Sequence, residues 1–257
     1  MVRRDNLPVQ LSTFVGRERE LAEVQALVRR HRLSTLTGAG GCGKTRLALR
    51  AAVDLLDAGA YADGAWLVDL APIADAALIA RAALSALGAR EVPGRAPLET
   101  LVDYLQARTL LLIVDNCEHL VAGCAALVEA LLRACPGLQV MATSREPLGL
   151  PGEAVWRVPS LALPPPGAAS ADILRSEAVS LFAERARLVQ PDFALTLANA
   201  VTVGQLCRRL DGIPLALELA AARVRGLTVE QLAARLDNRF RLLTGGARTA
   251  LRRVLRQ

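Results

Sequence analysis

An α/β fold, a three-layer sandwich on a parallel sheet followed by a small all-α domain, is predicted for this chain by three observations. Short apolar strands alternate with amphipathic helices over residues 1–160, a proline-rich stretch occupies residues 161–168, and only helical spacing follows over residues 169–238. Residues 239–257 read as the start of a further, incomplete region.

The elements follow in order. Residues 33–37 form a short buried strand, and residues 45–56 have helical apolar spacing. Strands are expected at residues 65–70, 110–114, 138–143 and 154–158, separated by helices at residues 76–87, 98–107 and 120–134. Strands alternating with helices imply a parallel sheet covered on both faces. The segment Leu161-Ala162-Leu163-Pro164-Pro165-Pro166-Gly167 reads as a stiff extended linker, because each proline restricts itself and the residue before it. Helices are then expected at residues 172–189, 198–210, 215–225 and 228–236.

Composition narrows the class. Hydrophobic residues make up 53% of the 257 residues and aromatics only 3%, so Ala, Leu and Val must build the core. Five cysteines, odd in number and without a C-x-x-C pair, indicate neither a disulfide framework nor a zinc site. A reducing compartment, the cytoplasm, is expected, since no segment reaches the ~18 apolar residues of a membrane span. The net charge of +6 invites a nucleic-acid reading, but the arginines are interleaved with acids and aromatic platforms for bases are scarce. The local excess at Arg239, Arg241, Arg248, Arg252, Arg253 and Arg256 reads as a solvated or inter-domain face.

The chemistry concentrates in Gly38-Ala39-Gly40-Gly41-Cys42-Gly43-Lys44-Thr45, which fits the phosphate-binding pattern G-x-x-x-x-G-K-[ST] between a strand and a helix. Lys44 is the only lysine of the chain. Keeping one compact ammonium here, in a sequence that elsewhere uses arginine, marks a position where a planar guanidinium will not serve. Gly38, Gly40, Gly41 and Gly43 let backbone N–H groups wrap an anion, with the dipole of the following helix behind them. Lys44 would reach the β- and γ-phosphates and Thr45 would take one position on Mg²⁺. The nucleotide-binding set is Gly38, Gly40, Gly41, Cys42, Gly43, Lys44, Thr45 and Arg46, on a sandwich of the P-loop NTPase type.

Leu110-Leu111-Leu112-Ile113-Val114-Asp115 is an apolar strand ending in a carboxylate, and Asp115 is the second expected Mg²⁺ residue. Many ATPases place a water-orienting acid directly after this aspartate. Asn116 stands there and cannot accept a proton, which makes Glu118 the nearest substitute, set against a helix-dipole role. Arg145, after the strand at residues 138–143, could reach the γ-phosphate, the alternative being a surface ion pair with an acid such as Glu146. His119 reads as a helix cap more readily than as a site residue.

In order along the chain, Phe14-Val15-Gly16-Arg17-Glu18, the P-loop, the Asp-Asn-Cys-Glu-His run at residues 115–119, Thr143-Ser144-Arg145 and Gly212-Ile213-Pro214-Leu215-Ala216-Leu217 resemble STAND ATPases. These form the NB-ARC-like branch of the AAA+ group. The likeness runs from about residue 6 to 243 and is nearest to the ATPase core of bacterial transcriptional regulators of the SARP and LuxR types. It implies that Val15, Gly16 and Arg17 contact the adenine and ribose side, that Arg145 is a sensor, and that Pro214 packs over the nucleotide. It further implies an ATP/ADP switch with slow Mg²⁺-dependent hydrolysis, self-association in the ATP state, a regulatory partner, and DNA contact only through other domains. A P-loop small-molecule kinase and a scaffold with a vestigial nucleotide site are the alternatives. A GTPase is disfavoured because the single lysine leaves none for an Asn-Lys-x-Asp guanine motif.

Overall fold

The computed structural model describes residues 5–244, and it opens with helix α1 (Glu18–Arg30), which the sequence reading did not include. Leu21, Val24 and Val28 supply its apolar face, with Val24 and Val28 buried. Strand β1 (Leu33–Thr37) leads through the P-loop into α2 (Lys44–Asp57). Then come β2 (Ala65–Asp69), α3 (Ile79–Ala86) after a 3-10 turn at Ala76–Leu78, α4 (Pro97–Leu105) and β3 (Leu110–Asp115). A second 3-10 turn, Cys117–His119, precedes α5 (Val121–Ala134), and β4 (Leu138–Ser144) and β5 (Glu153–Arg157) complete the sheet.

The strand order is β2-β3-β4-β1-β5 and every pairing is parallel. The central strand β3 is buried throughout and reads as a near-continuous apolar run, as central parallel strands do, whereas β1 is buried but carries Ser34, Thr35 and Thr37, and the edge strand β5 is only partly buried. Alternate residues serve opposite faces: Leu110, Leu112 and Val114 pack into the cluster formed with α3, α4 and α5, whereas α2, backed by α1, packs across β1 to β4 on the other side. The edge strand β2 is covered by the N-terminal segment, where the Asn6 amide donates to Leu67 O at 2.9 Å and accepts from Leu67 N at 2.6 Å.

Two compact units result, one containing Arg17–Pro159 with the N-terminal segment up to Thr13, the other containing Phe14–Gly16 and the chain from Ser160 onward. The second is built from α6 (Ser170–Leu174), α7 (Glu177–Val189), α8 (Leu197–Arg209), α9 (Pro214–Ala221), a 3-10 turn at Ala222–Arg225, and α10 (Val229–Thr244). The single helix expected at residues 172–189 is two, interrupted at Arg175 and Ser176; Ser176 Oγ donates to Ala162 O at 2.7 Å. Helix α10 carries on through residues 239–244, and the rest of the incomplete region expected there, 245–257 with its arginines, lies outside the described residues.

The proline-rich stretch is not a free-standing linker. Leu161 is buried in the helical core and its N–H donates to Gly212 O at 3.0 Å, Arg208 donates to Pro164 O at 3.2 Å, and Ala178 N–H donates to Ala162 O at 3.2 Å. Prolines offer carbonyls and no donors, and the helical unit supplies the donors. The boundary between units therefore falls at Pro159–Ser160, ahead of the prolines.

The same contacts explain the Gly-Ile-Pro sequence at residues 212–214. Asp211 (φ 53°) and Gly212 (φ 62°) end α8 in left-handed conformation, and Pro214 begins α9 where its missing N–H costs nothing. A Cβ on Gly212 would lie 2.5 Å from Leu161 O. Gly212→Ala is expected to destabilise the protein by about 2 kcal/mol or more, read as a lower urea midpoint.

Candidate nucleotide-binding site

The carboxyl ends of the parallel strands gather the candidate residues at one sheet edge, the usual place for ligands in such sheets. Register sets the spacing: Thr37 of β1 lies opposite Ser144 of β4, and Asp69 of β2 opposite Asp115 of β3. The P-loop leaves β1 through Gly38 (φ 150°), Gly41 (φ 76°) and Gly43 (φ 93°), the last being the N-cap of α2. No side chain caps that helix, so its first N–H groups face the loop without a side-chain acceptor.

Lys44 is buried, and its Nζ donates to Gly38 O at 3.0 Å and Ala39 O at 3.2 Å. The ammonium is thereby folded across the mouth of the loop it would serve. Thr45 Oγ1 donates to Asp115, 2.7 Å to Oδ1 and 3.0 Å to Oδ2. Thr143 Oγ1 donates to the same Oδ1, and Asn116 Nδ2 to Oδ2 at 3.0 Å. Asp115 is only 3% exposed. Burial pushes its carboxyl pKa up, the hydrogen bonds from Thr143 and Thr45 oppose that shift, and the charges of Asp69 and Glu118 add to it.

A hydroxyl and a carboxylate at this separation, both hard oxygen donors, fit Mg²⁺, which binds through one or two protein oxygens and keeps phosphate and water for the rest. The buried carboxylate, with neighbouring acids and no basic side chain among its hydrogen-bond partners, is also the group a cation would suit. Among the described residues there is no cluster of three or more His, Cys, Asp and Glu side chains that could hold a metal.

Arg145 is 67% exposed and its Nε pairs with Glu118 Oε1 at 3.2 Å. Its guanidinium nitrogen lies 3.8 Å from where a Cβ on Gly40 would stand, so it reaches over the P-loop. Glu118 sits in the 3-10 turn after β3, so the surface ion pair that was the alternative reading of Arg145 is present, with Glu118 as the acid and not Glu146. A cleft of about 370 Å³ opens beside the loop, lined by Thr37, Gly38, Ala39, Arg145, Glu146, Pro147 and Arg157.

Other expected site residues hold structure. Arg17, in left-handed conformation (φ 67°) and 4% exposed, donates to Cys42 O at 2.7 Å and Pro159 O at 2.8 Å, tying the P-loop to the end of the first unit. Arg46 donates to Ser12 O at 2.7 Å and to Ser12 Oγ at 2.9 Å, clasping the N-terminal segment against α2. Cys42 is buried. Val15 packs on the core of the helical unit, as Gly16 does close to Glu177, and Pro214 occupies the first turn of α9 in that unit. His119 does not cap α5: its Nε2 donates to Ile73 O at 2.7 Å. All five cysteines are free, and no helix among the described residues is long and apolar enough to cross a membrane.

Two participants were given no role at the site by the sequence, although Thr143 lies in the Thr143-Ser144-Arg145 motif. Thr143 holds Asp115 from the neighbouring strand, and Asp69 accepts a hydrogen bond from Asn116 Nδ2 at 3.0 Å. The signal for Asp69 was present, since Ala65-Trp66-Leu67-Val68-Asp69 repeats the apolar-run-then-carboxylate pattern of β3.

Known proteins resemble this chain in sequence and in fold. A Mycobacterium tuberculosis protein described as uncharacterized is 45% identical over 242 residues, 94% of this chain and 58% of that protein. Another from the same species, provisionally named an HTH-type transcriptional regulator, is 48% identical over 230 residues, 90% of this chain and 24% of that protein. The chain thus spans between a quarter and three fifths of the length of these relatives. In solved structures the fold resembles a STAND protein with a tetratricopeptide-repeat sensor from Pyrococcus horikoshii (TM-score 0.53, 18% identity, 90% of this chain and 33% of that one). It also resembles a Walker-type ATPase of Pyrococcus abyssi (TM-score 0.54, 16% identity, 93% of this chain and 76% of that one). The sequence profile of the family described as Novel STAND NTPase 1 matches residues 8–148, and with more than half of its length covered the chain belongs to that family of STAND NTPases.

Proposed function

We propose that this chain is an ATP/ADP-binding switch module of a signal-transduction or transcriptional regulator, and that it hydrolyses ATP slowly with Mg²⁺. The observation that carries the proposal is the joining of Thr45, Asp115 and Thr143 directly beneath a P-loop that holds Lys44 over its own carbonyls. On this reading the loop N–H groups and Lys44 hold the β- and γ-phosphates, and Arg145 reports the third phosphate. Thr45 and Asp115 hold Mg²⁺, which when bound neutralises charge on the phosphate oxygens. Water attacks the γ-phosphorus, the bond to the β–γ bridging oxygen breaks, and ADP and phosphate result. Asn116 in place of an acid keeps this step slow.

Val15, Gly16, Arg17 and Pro214 belong to the proposal as contacts on the base side. So do self-association in the ATP state and a regulatory partner, while action on DNA would belong to other domains, as the name of the mycobacterial relative suggests for that protein. The test is a single-turnover assay on preloaded ATP with Mg²⁺. Slow release of phosphate with ADP retained is expected, and bound ATP that yields no phosphate over hours would overturn the hydrolytic part of the reading.

A further inference from the structure

Hydrolysis needs an oxygen that can hold and polarise water, and the residue after Asp115 is an amide. Two acids lie near enough to matter, Glu118 and Asp69. Glu118 is committed: Oε1 pairs with Arg145, and Oε2 is shielded from solvent with no hydrogen bond among the described residues. A water molecule has no access to that oxygen in this conformation.

Asp69 is different in each respect. It ends β2 in register with Asp115, at the same sheet edge, and is exposed. Its Oδ1 accepts from Ala71 N–H at 2.9 Å and from Asn116 Nδ2 at 3.0 Å, which fixes the carboxylate plane. Its Oδ2 accepts nothing among the described residues. Asn116 adopts a left-handed conformation (φ 63°, ψ 44°), and its amide nitrogen lies 3.0 Å from an oxygen of both Asp69 and Asp115. The two carboxylates are therefore held within about 6 Å of each other by one amide.

We infer that Asp69, presented by β2 and oriented by Asn116, is the acid that orients and deprotonates the attacking water. The function missing from the position after Asp115 is supplied by the neighbouring strand, and Asn116 is the residue that aims it. The inference rests on the proposed ATPase reading. Water gives its proton to Asp69 Oδ2 as its oxygen bonds to the γ-phosphorus; the bond to the bridging oxygen breaks, its electron pair stays on ADP, and Asp69 returns the proton to solvent.

The test is Asp69→Asn, because the new side chain keeps an Oδ1 that accepts from both Ala71 and Asn116, while the charge is lost and the basic Oδ2 becomes an NH2 that cannot take a proton from water. Single-turnover hydrolysis is expected to slow about 100-fold, while affinity for ADP stays within about twofold of wild type. Turnover that survives the substitution would overturn the inference, most directly if Glu118→Gln abolishes it instead. A parallel loss of ADP affinity would make Asp69 a structural residue and overturn it as well. Wild-type protein that binds ATP without releasing phosphate would take down the ATPase reading first and this inference with it.

Discussion

Lys44→Ala is expected to weaken ADP and ATP binding about 1,000-fold, close to 4 kcal/mol, because hydrogen bonds to charged partners contribute about 1.5–3 kcal/mol each and the ammonium would serve two phosphates. The chain has no other lysine, Arg46 is spent on Ser12, and Arg145 is paired with Glu118, so none of these replaces the ammonium. Without nucleotide the effect should be modest. The lysine contributes two hydrogen bonds to loop carbonyls, so its loss costs the empty protein roughly 1–2 kcal/mol. Calorimetric titration of both nucleotides, paired with urea unfolding of the empty protein, separates the two effects. A scaffold with a vestigial site would show no change in nucleotide affinity, there being none to lose.

Asp115→Asn should act in opposite directions on chemistry and on stability. Hydrolysis is expected to fall about 1,000-fold, with Mg²⁺ no longer tightening ATP binding, since the buried oxygen that would face the metal becomes an amide. The empty protein should respond otherwise. Burial raises the Asp115 pKa, so the folded chain holds that proton more tightly than the unfolded chain does. Stability from this group is complete below the unfolded pKa and is lost as pH rises through the folded one. Between about pH 4 and pH 7, wild type should therefore lose more stability than Asp115→Asn does. Thermal unfolding at both pH values, with and without Mg²⁺-ADP, checks the sign; a wild type that gains stability over the asparagine variant across this range would refute it.

Most of the sheet was legible because its strands are short and rich in apolar residues, β3 being an uninterrupted run up to Asp115, and burial on both faces favours that pattern in central strands. The P-loop was legible for a related reason, since wrapping an anion with backbone N–H groups demands glycines at set positions. Helix α1 was missed although Leu21, Val24 and Val28 have helical spacing, because charged residues dominate the segment. Strand order and register are long-range properties that local spacing does not carry, and Asp69 is meaningful only through its register with Asp115. The proline-rich stretch misled for the opposite reason. Local spacing shows only the prolines, whereas the hydrogen bonds that dock the stretch on the helical unit involve residues about 14 to 51 positions away, Ser176, Arg208 and Gly212.

Nucleotide held at the P-loop is measured most directly by chromatography of what is released when freshly purified protein is denatured. Near-stoichiometric ADP from wild type, and none from Lys44→Ala, is the predicted result. Wild-type protein that releases no nucleotide and shows no heat on titration with Mg²⁺-ADP or Mg²⁺-ATP would contradict it.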